Sequence, residues 1–231
     1  MEEPDFEQAW LTKFSKCLDE IAGENIRQEV MKGSEVLSSH SLPQEIIGWS
    51  KVAMERLETL VDVDKRREIM TGCACRYPKS DLQVIRERFQ ATKDIDMAHQ
   101  LLQEQFESFL KVSLKLDDEL IETIVKRGWG LAGEKNGKTI IATKMPKSGF
   151  LVDYVNEADP EKKRQYYCHC PRVRDILRTS EIISQVYCYC GAGFYKGIWE
   201  EILQKSVDVE VLESVLGGDE VCKIAINLPE F

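Results

Sequence analysis

An α+β fold is the class this sequence predicts, and three observations predict it. Apolar residues recur at three-to-four spacing through the first half, the signature of amphipathic helices. Glycine turn signals then cluster at Gly128-Trp129-Gly130, Gly133 and Asn136-Gly137. Beyond them, short β-branched runs alternate with further helical stretches, which implies a small sheet. The expected organisation is a helical region over 1–130 and a mixed α/β, cysteine-rich, ligand- and metal-binding region over 131–231.

Each element has its own local reason. Phe6, Trp10, Phe14, Cys17, Leu18 and Ile21 form one helical face. Ser41-Leu42-Pro43-Gln44-Glu45 starts a second helix, with Pro43 near its first turn, and Ile46, Trp49, Val52, Ala53, Leu57 and Leu60 continue its face. A third covers Asp64 to Met70 and stops at Gly72, just before Cys73. Helices follow over 81–91 and 94–114, and Leu116-Asp117-Asp118-Glu119 caps one that ends near Gly128. Asn136-Gly137 is a hairpin dipeptide. Strands are expected over 138–144, 150–155, 165–170, 185–190, 207–214 and 221–228. Helices are expected from Pro171 to about Ser184 and from Gly191 to about Gln204.

Composition narrows the function classes. The 231 residues suffice for one large domain or two small ones with a real core. The net charge of −9 argues against a general nucleic-acid binder, which would show a basic face. Lys162-Lys163-Arg164 follows acidic residues and reads as solvated surface. The start, MEEPDFEQAW, lacks a basic segment and an apolar core, so no secretory signal is expected. No apolar run approaches the ~20 residues of a membrane helix. The expected setting is cytoplasmic, with reduced thiols. The expected partner is a small-molecule ligand, with no nucleic acid, no membrane and room for a homo-oligomer.

Six of the eight cysteines fall in three Cys-x-Cys pairs: Cys73/Cys75, Cys168/Cys170 and Cys188/Cys190. Thiolates at this density bind a soft metal, do redox chemistry or supply a nucleophile. On a strand, residues i and i+2 share a face, so Cys168 with Cys170 and Cys188 with Cys190 would project together. Both pairs would then lie at one carboxyl edge of a sheet, where helix N-termini favour thiolates. Four such sulfurs suit tetrahedral zinc at a Zn–S distance of ~2.3 Å, and Cys73/Cys75 could replace either pair. An iron–sulfur cluster ranks below zinc, because the spacing matches neither usual ferredoxin pattern. A redox dithiol is a further alternative. The plain alternative is cysteine as a small buried hydrophobe, and Cys17, alone on its helix, is read that way.

The remaining chemistry is sparse. His169 would face away from its flanking cysteines, and His40 and His99 read as ordinary surface or helix residues. The glycine segment Gly191-Ala192-Gly193 enters a helix but lacks the Gly-Lys-Ser/Thr ending of a phosphate loop. Lys196 could meet an anion, and Glu200 is a distant acid–base candidate. Tyr166, Tyr167, Tyr187, Tyr189, Phe194 and Tyr195 could line an apolar pocket or form sheet core.

One resemblance adds to this reading. The stretch from Tyr187 through Leu203, then Val207-Asp208-Val209-Glu210, then Gly217-Gly218-Asp219-Glu220-Val221-Cys222 into Ile226, resembles two related groups. These are the L-2-amino-thiazoline-4-carboxylic acid hydrolase-like family and the 4-vinyl reductase-type small-molecule-binding domain. As a whole the chain resembles an uncharacterised prokaryotic family. The resemblance implies a ligand-binding α+β fold with metal-chelating cysteines and adds Cys222 to the ligand set. It also implies, as the alternative, a hydrolase that attacks a small C–N or C–S bond with a cysteine thiolate or metal-bound water. The chain departs from the pattern at Ser214, where a further cysteine is expected. The expected metal ligands are therefore Cys168, Cys170, Cys188, Cys190, Cys73, Cys75 and Cys222, with zinc as the ion.

Overall fold

The structure, a computed structural model, describes residues 6–38 and 40–230, without the side chain of Phe6. In chain order the helices and strands are α1 (Phe6–Ala22), α2 (Glu24–Met31), α3 (Pro43–Leu60), α4 (Val63–Gly72), α5 (Lys79–Thr92), α6 (Ile95–Val112), α7 (Asp118–Lys126), β1 (Glu134–Asn136), β2 (Thr139–Thr143), α8 (Leu151–Asn156), α9 (Pro160–Tyr167), α10 (Pro171–Ile176), α11 (Tyr189–Leu203), β3 (Asp208–Glu213) and β4 (Lys223–Asn227). The class is α+β: helices dominate, and one small antiparallel sheet sits in the C-terminal half. No helix among the described residues is long and apolar enough to cross a membrane.

The chain divides into two compact units, each made of two segments. The first takes residues up to Cys75 together with Cys168–Gly193. The second takes Arg76–Tyr167 and the chain from Phe194 onward.

In the first unit α1 packs on α2 and α4, and α3 touches α2, α4 and α10. Trp10, Phe14 and Leu18 form the buried stripe of α1, and Trp49, Ala53 and Leu57 of α3 and Ile69 and Met70 of α4 are buried as well; the Phe14 and Trp49 rings meet edge-on at 6.4 Å. Local chemistry sets the helix starts. Glu45 accepts the Leu42 N–H at 2.8 Å ahead of Pro43, and Asp62 accepts the Lys65 N–H at 3.0 Å to open α4. Helix α2 was not expected; Gly23, at φ +89°, turns the chain between α1 and α2.

In the second unit α6 packs on α5 and α7, and α8 on α9. Asp94 and Asp117 cap α6 and α7 through the Met97 and Leu120 N–H groups, at 3.0 and 2.8 Å. The sheet runs β1-β2-β4-β3, all antiparallel. Asn136 pairs with Thr139, leaving Gly137, at φ +59°, and Lys138 to close the hairpin. Central β4 is buried through Ile224, Ala225 and Ile226, and β2 through Ile140 and Ala142.

Three expected strands do not form: 150–155 and 185–190 are helical, and 165–170 is helical only as far as Tyr167. In 150–155, Leu151 and Tyr154 are buried while Val152 and Val155 are exposed, a spacing of three that builds α8. Segment 165–170 holds the last residues of α9, because the buried Tyr167 hydroxyl bonds the Lys144 carbonyl and accepts the Cys222 N–H at 3.0 Å. Segment 185–190 is a 3₁₀ turn running into α11, started by Ser184, whose hydroxyl accepts the Val186 N–H at 3.2 Å. Aromatic and β-branched content suggested strands, but both edges of central β4 are already taken by β2 and β3. The helix expected to reach Ser184 stops at Ile176.

Candidate functional site

The loss of those strands removes the basis for a shared sheet edge. Cys168 and Cys170 lie between α9 and α10, and Cys188 and Cys190 lie where a 3₁₀ turn becomes α11. Cys188 and Cys190 lie in helical backbone, where residues i and i+2 do not share a face, and Cys168 and Cys170 lie in a non-helical link outside the sheet. The cysteines meet by another route, within the first unit.

Helix α4 ends against α1. Gly72 is the last residue of α4, and a Cβ there would overlap the Cys17 sulfur. Its value is therefore space, since its φ is not in the left-handed region. Cys73 follows as the cap of α4 and is 1% exposed. Its thiol donates to the Ile69 carbonyl at 3.2 Å and has the Cys17 thiol as a hydrogen-bond neighbour. Lys13, one turn before Cys17 on α1, donates its ammonium to the Ala74 carbonyl at 3.2 Å. The third thiol comes from α11. A Cβ on Gly193 would overlap the Thr71 backbone, so the first turn of α11 lies directly on the end of α4. Cys190 stands one turn before Gly193, on the same side of the helix.

The electrostatics follow from this convergence. The Cys17 hydrogen bond, burial and the neighbouring Cys190 charge push the Cys73 thiol well above its ordinary range, and Lys13 pulls the other way. Cys73 is thus a protonated thiol beside two others, with one ammonium near. Burial raises the Tyr187 phenol in the same way, and Cys170 and Cys190 add to it.

Tyr187 belongs to a buried polar cage that the sequence reasoning missed. Arg172 is 3% exposed. Its Nε lies 3.2 Å from Glu7 Oε2, its Nη2 bonds Glu7 Oε1, and its Nη1 donates to Tyr187 Oη at 3.3 Å. Its guanidinium carbon is 3.9 Å from the centre of the Trp10 ring, which in turn stacks on Tyr187 at 5.6 Å. Burial opposes the Arg172 charge, but Tyr187 and Glu7 outweigh it and raise its pKa. Only Pro171, a helix starter, hinted that Arg172 would be held at a helix start.

The other expected ligands lie as follows. Cys75 is exposed, Cys168 is buried and Cys188 is half-buried. Cys222 belongs to the second unit, where burial raises its thiol pKa and Lys144 opposes the rise. Cys17, read from sequence as a plain core residue, is the hydrogen-bond neighbour of Cys73. Among the described residues, no three His, Cys, Asp or Glu side chains are placed around a single ion position. His169 and His40 are exposed, and His99 bonds the Gly133 carbonyl at 2.9 Å.

The tyrosines expected around a ligand pocket are core contacts. Tyr195 donates to the Gly130 carbonyl at 3.1 Å, Tyr167 packs on Tyr154, and Arg67 lies over Tyr189. Lys196 and Glu200 pair at 3.0 Å, one turn apart on α11. Near them the second unit has an open cleft of about 410 Å³ lined by residues including Arg76, Lys79, Gly197, Glu200 and Glu201. Glu201 is held by Lys79 at 2.9 Å and by Arg86, and these partners lower its carboxyl pKa, Lys79 most. Arg76 has no carboxylate partner among the described residues, so the cleft keeps an uncommitted positive charge.

Residues 154–230 match the profile of a family described only as a family of unknown function, DUF6144. That segment contains Cys168, Cys170, Cys188, Cys190 and Cys222 and the stretch that carries the resemblance noted above. Comparison with curated proteins and with solved structures gives no match.

Proposed function

We propose that the chain is a cysteine-based metal- and small-molecule-binding protein whose zinc receptor is the thiol group Cys17, Cys73 and Cys190. The observation that supports this reading is that Cys17 is the hydrogen-bond neighbour of Cys73 at the end of α4 and that Cys190 acts electrostatically on Cys73. The three are not already placed around an ion position among the described residues, so zinc would have to draw them together. Three thiolates with a fourth, open position suit zinc. Binding must turn Cys73 away from the Ile69 carbonyl and release the thiol protons, so affinity rises with pH. The small-molecule part of the reading falls on the cleft beside Arg76, where an anionic group would be favoured. The test is elemental analysis of protein purified without a metal-affinity tag, followed by zinc titration. The expected result is about one zinc per chain, lost in C17S, C73S and C190S and kept in C75S. Metal-free protein that takes up no zinc, with its thiols titrating freely, overturns the reading.

The hydrolase alternative draws on the resemblance and on Lys13, whose charge favours a thiolate at Cys73. Opposing it, burial and the Cys17 hydrogen bond keep that thiol protonated, a poor state for a nucleophile. Turnover of a small thiazoline carboxylate by the metal-free protein would favour the hydrolase.

A further inference from the structure

We infer that Cys17 and Cys73 form a redox-active dithiol, which a low-molecular-weight disulfide converts into a Cys17–Cys73 disulfide. The inference goes beyond metal binding: it uses two of the same thiols but needs no ion. It rests on placement. The Cys17 sulfur occupies the space that a side chain at Gly72 would fill, and Cys73 is the next residue and its hydrogen-bond neighbour. The two residues are far apart in the chain, and only the packing of α1 on α4 brings them together. Spacing within the Cys-x-Cys pairs does not achieve this. Cys75 is exposed while Cys73 is buried and turned toward Ile69, so the two point different ways.

Exposure orders the steps. Cys17 is half-buried and Cys73 is nearly inaccessible, so the incoming disulfide meets Cys17 first. The Cys17 thiol loses its proton to solvent, and its sulfur attacks one sulfur of the small disulfide. A Cys17 mixed disulfide forms, and the first small thiolate leaves and takes up a proton. The Cys73 sulfur, a weak nucleophile while protonated but held beside the Cys17 sulfur, then gives its proton to solvent and attacks that sulfur in the slower step, expelling the second small thiolate, which takes up a proton. Two protein thiols and one small disulfide become one protein disulfide and two small thiols. Two electrons pass from the protein to the small disulfide.

The experiment uses full-length protein stripped of metal by a chelator and then exposed to oxidised glutathione. Acid quenching, alkylation and peptide mapping by mass spectrometry follow. The expected product has lost two hydrogens and contains one cross-linked peptide pair joining Cys17 to Cys73. C75S keeps that product, and C17S and C73S abolish it. The inference is overturned if both thiols remain alkylatable, if glutathione stays on Cys17, or if another pair is joined. Zinc uptake by the same preparation is measured separately. A bond without zinc uptake sinks only the metal reading, and zinc uptake without a bond sinks only this one.

Discussion

Two glycine-to-alanine changes one turn apart on α11 should move stability in opposite directions. Both sites are interior to the helix, so each alanine gains about 1 kcal/mol of helix propensity. Gly197→Ala meets only the Arg76 Nη1 atom, at 3.3 Å, the far end of a flexible side chain that can swing aside. Its net effect is a stabilisation of up to about 1 kcal/mol. Gly193→Ala meets the Thr71 carbonyl oxygen, carbonyl carbon and α-carbon, which are backbone atoms at the end of α4 and cannot yield cheaply. Overpacking of this kind costs roughly 1–3 kcal/mol, so the clash offsets or exceeds the propensity gain. The assay is urea unfolding of each variant followed by circular dichroism. With a slope near 2 kcal/mol per molar, the Gly193→Ala midpoint falls by up to about 1 M and the Gly197→Ala midpoint rises by a few tenths of a molar. Gly193→Ala should also loosen the approach of Cys190 to Cys73 and weaken zinc uptake, which Gly197→Ala leaves alone. Midpoints that move together, in either direction, refute the contact assigned to Gly193.

Two further outcomes concern charge. Arg172→Met leaves Glu7 buried without its cation and should cost roughly 3–5 kcal/mol, whereas Glu7→Leu with Arg172→Met should recover most of that loss. A double-mutant cycle by chemical unfolding checks it, and a single-variant loss under about 1 kcal/mol would refute the buried pair. Glu201 has a folded pKa below its ordinary 4.5, so its contribution is full above that value and is lost as pH falls through the lowered one. Acid unfolding of the second unit should therefore be less steep below about pH 4.5 in Glu201→Gln. An unchanged acid limb would remove Lys79 and Arg86 as its holding partners.

Much of the fold was legible because its signals are local. The stripe of Trp10, Phe14 and Leu18, the aspartate caps at Asp94 and Asp117 and the Asn136-Gly137 hairpin each act within a few residues. So do the β-branched runs that became β2, β3 and β4. The errors lie where a short segment has no strong local preference. Leu151 and Tyr154, Tyr167, and Tyr187 are each drawn to burial by partners far along the chain, and that contact overrode their strand-like composition. The pairing of cysteines at spacing two pointed to a thiol site, but spacing two has meaning only on a strand, and these segments are not strands.

The sequence by itself determined the class, most helix positions, the strands β2, β3 and β4 and the density of cysteines. Period, caps and turn residues are properties of neighbouring residues and need no tertiary knowledge. Tertiary structure alone decided which thiols meet. Cys17 is a lone cysteine on a helical face, and nothing near it in the chain marks it as functional. It joins Cys73 because Gly72 lets α4 end on α1, and Cys190 joins them because Gly193 lets α11 begin on Thr71. The same holds for Glu7, Arg172 and Tyr187, whose buried cage is closed by residues from both segments of the first unit. Such contacts depend on backbone approach and side-chain volume across long separations, and local sequence does not encode them.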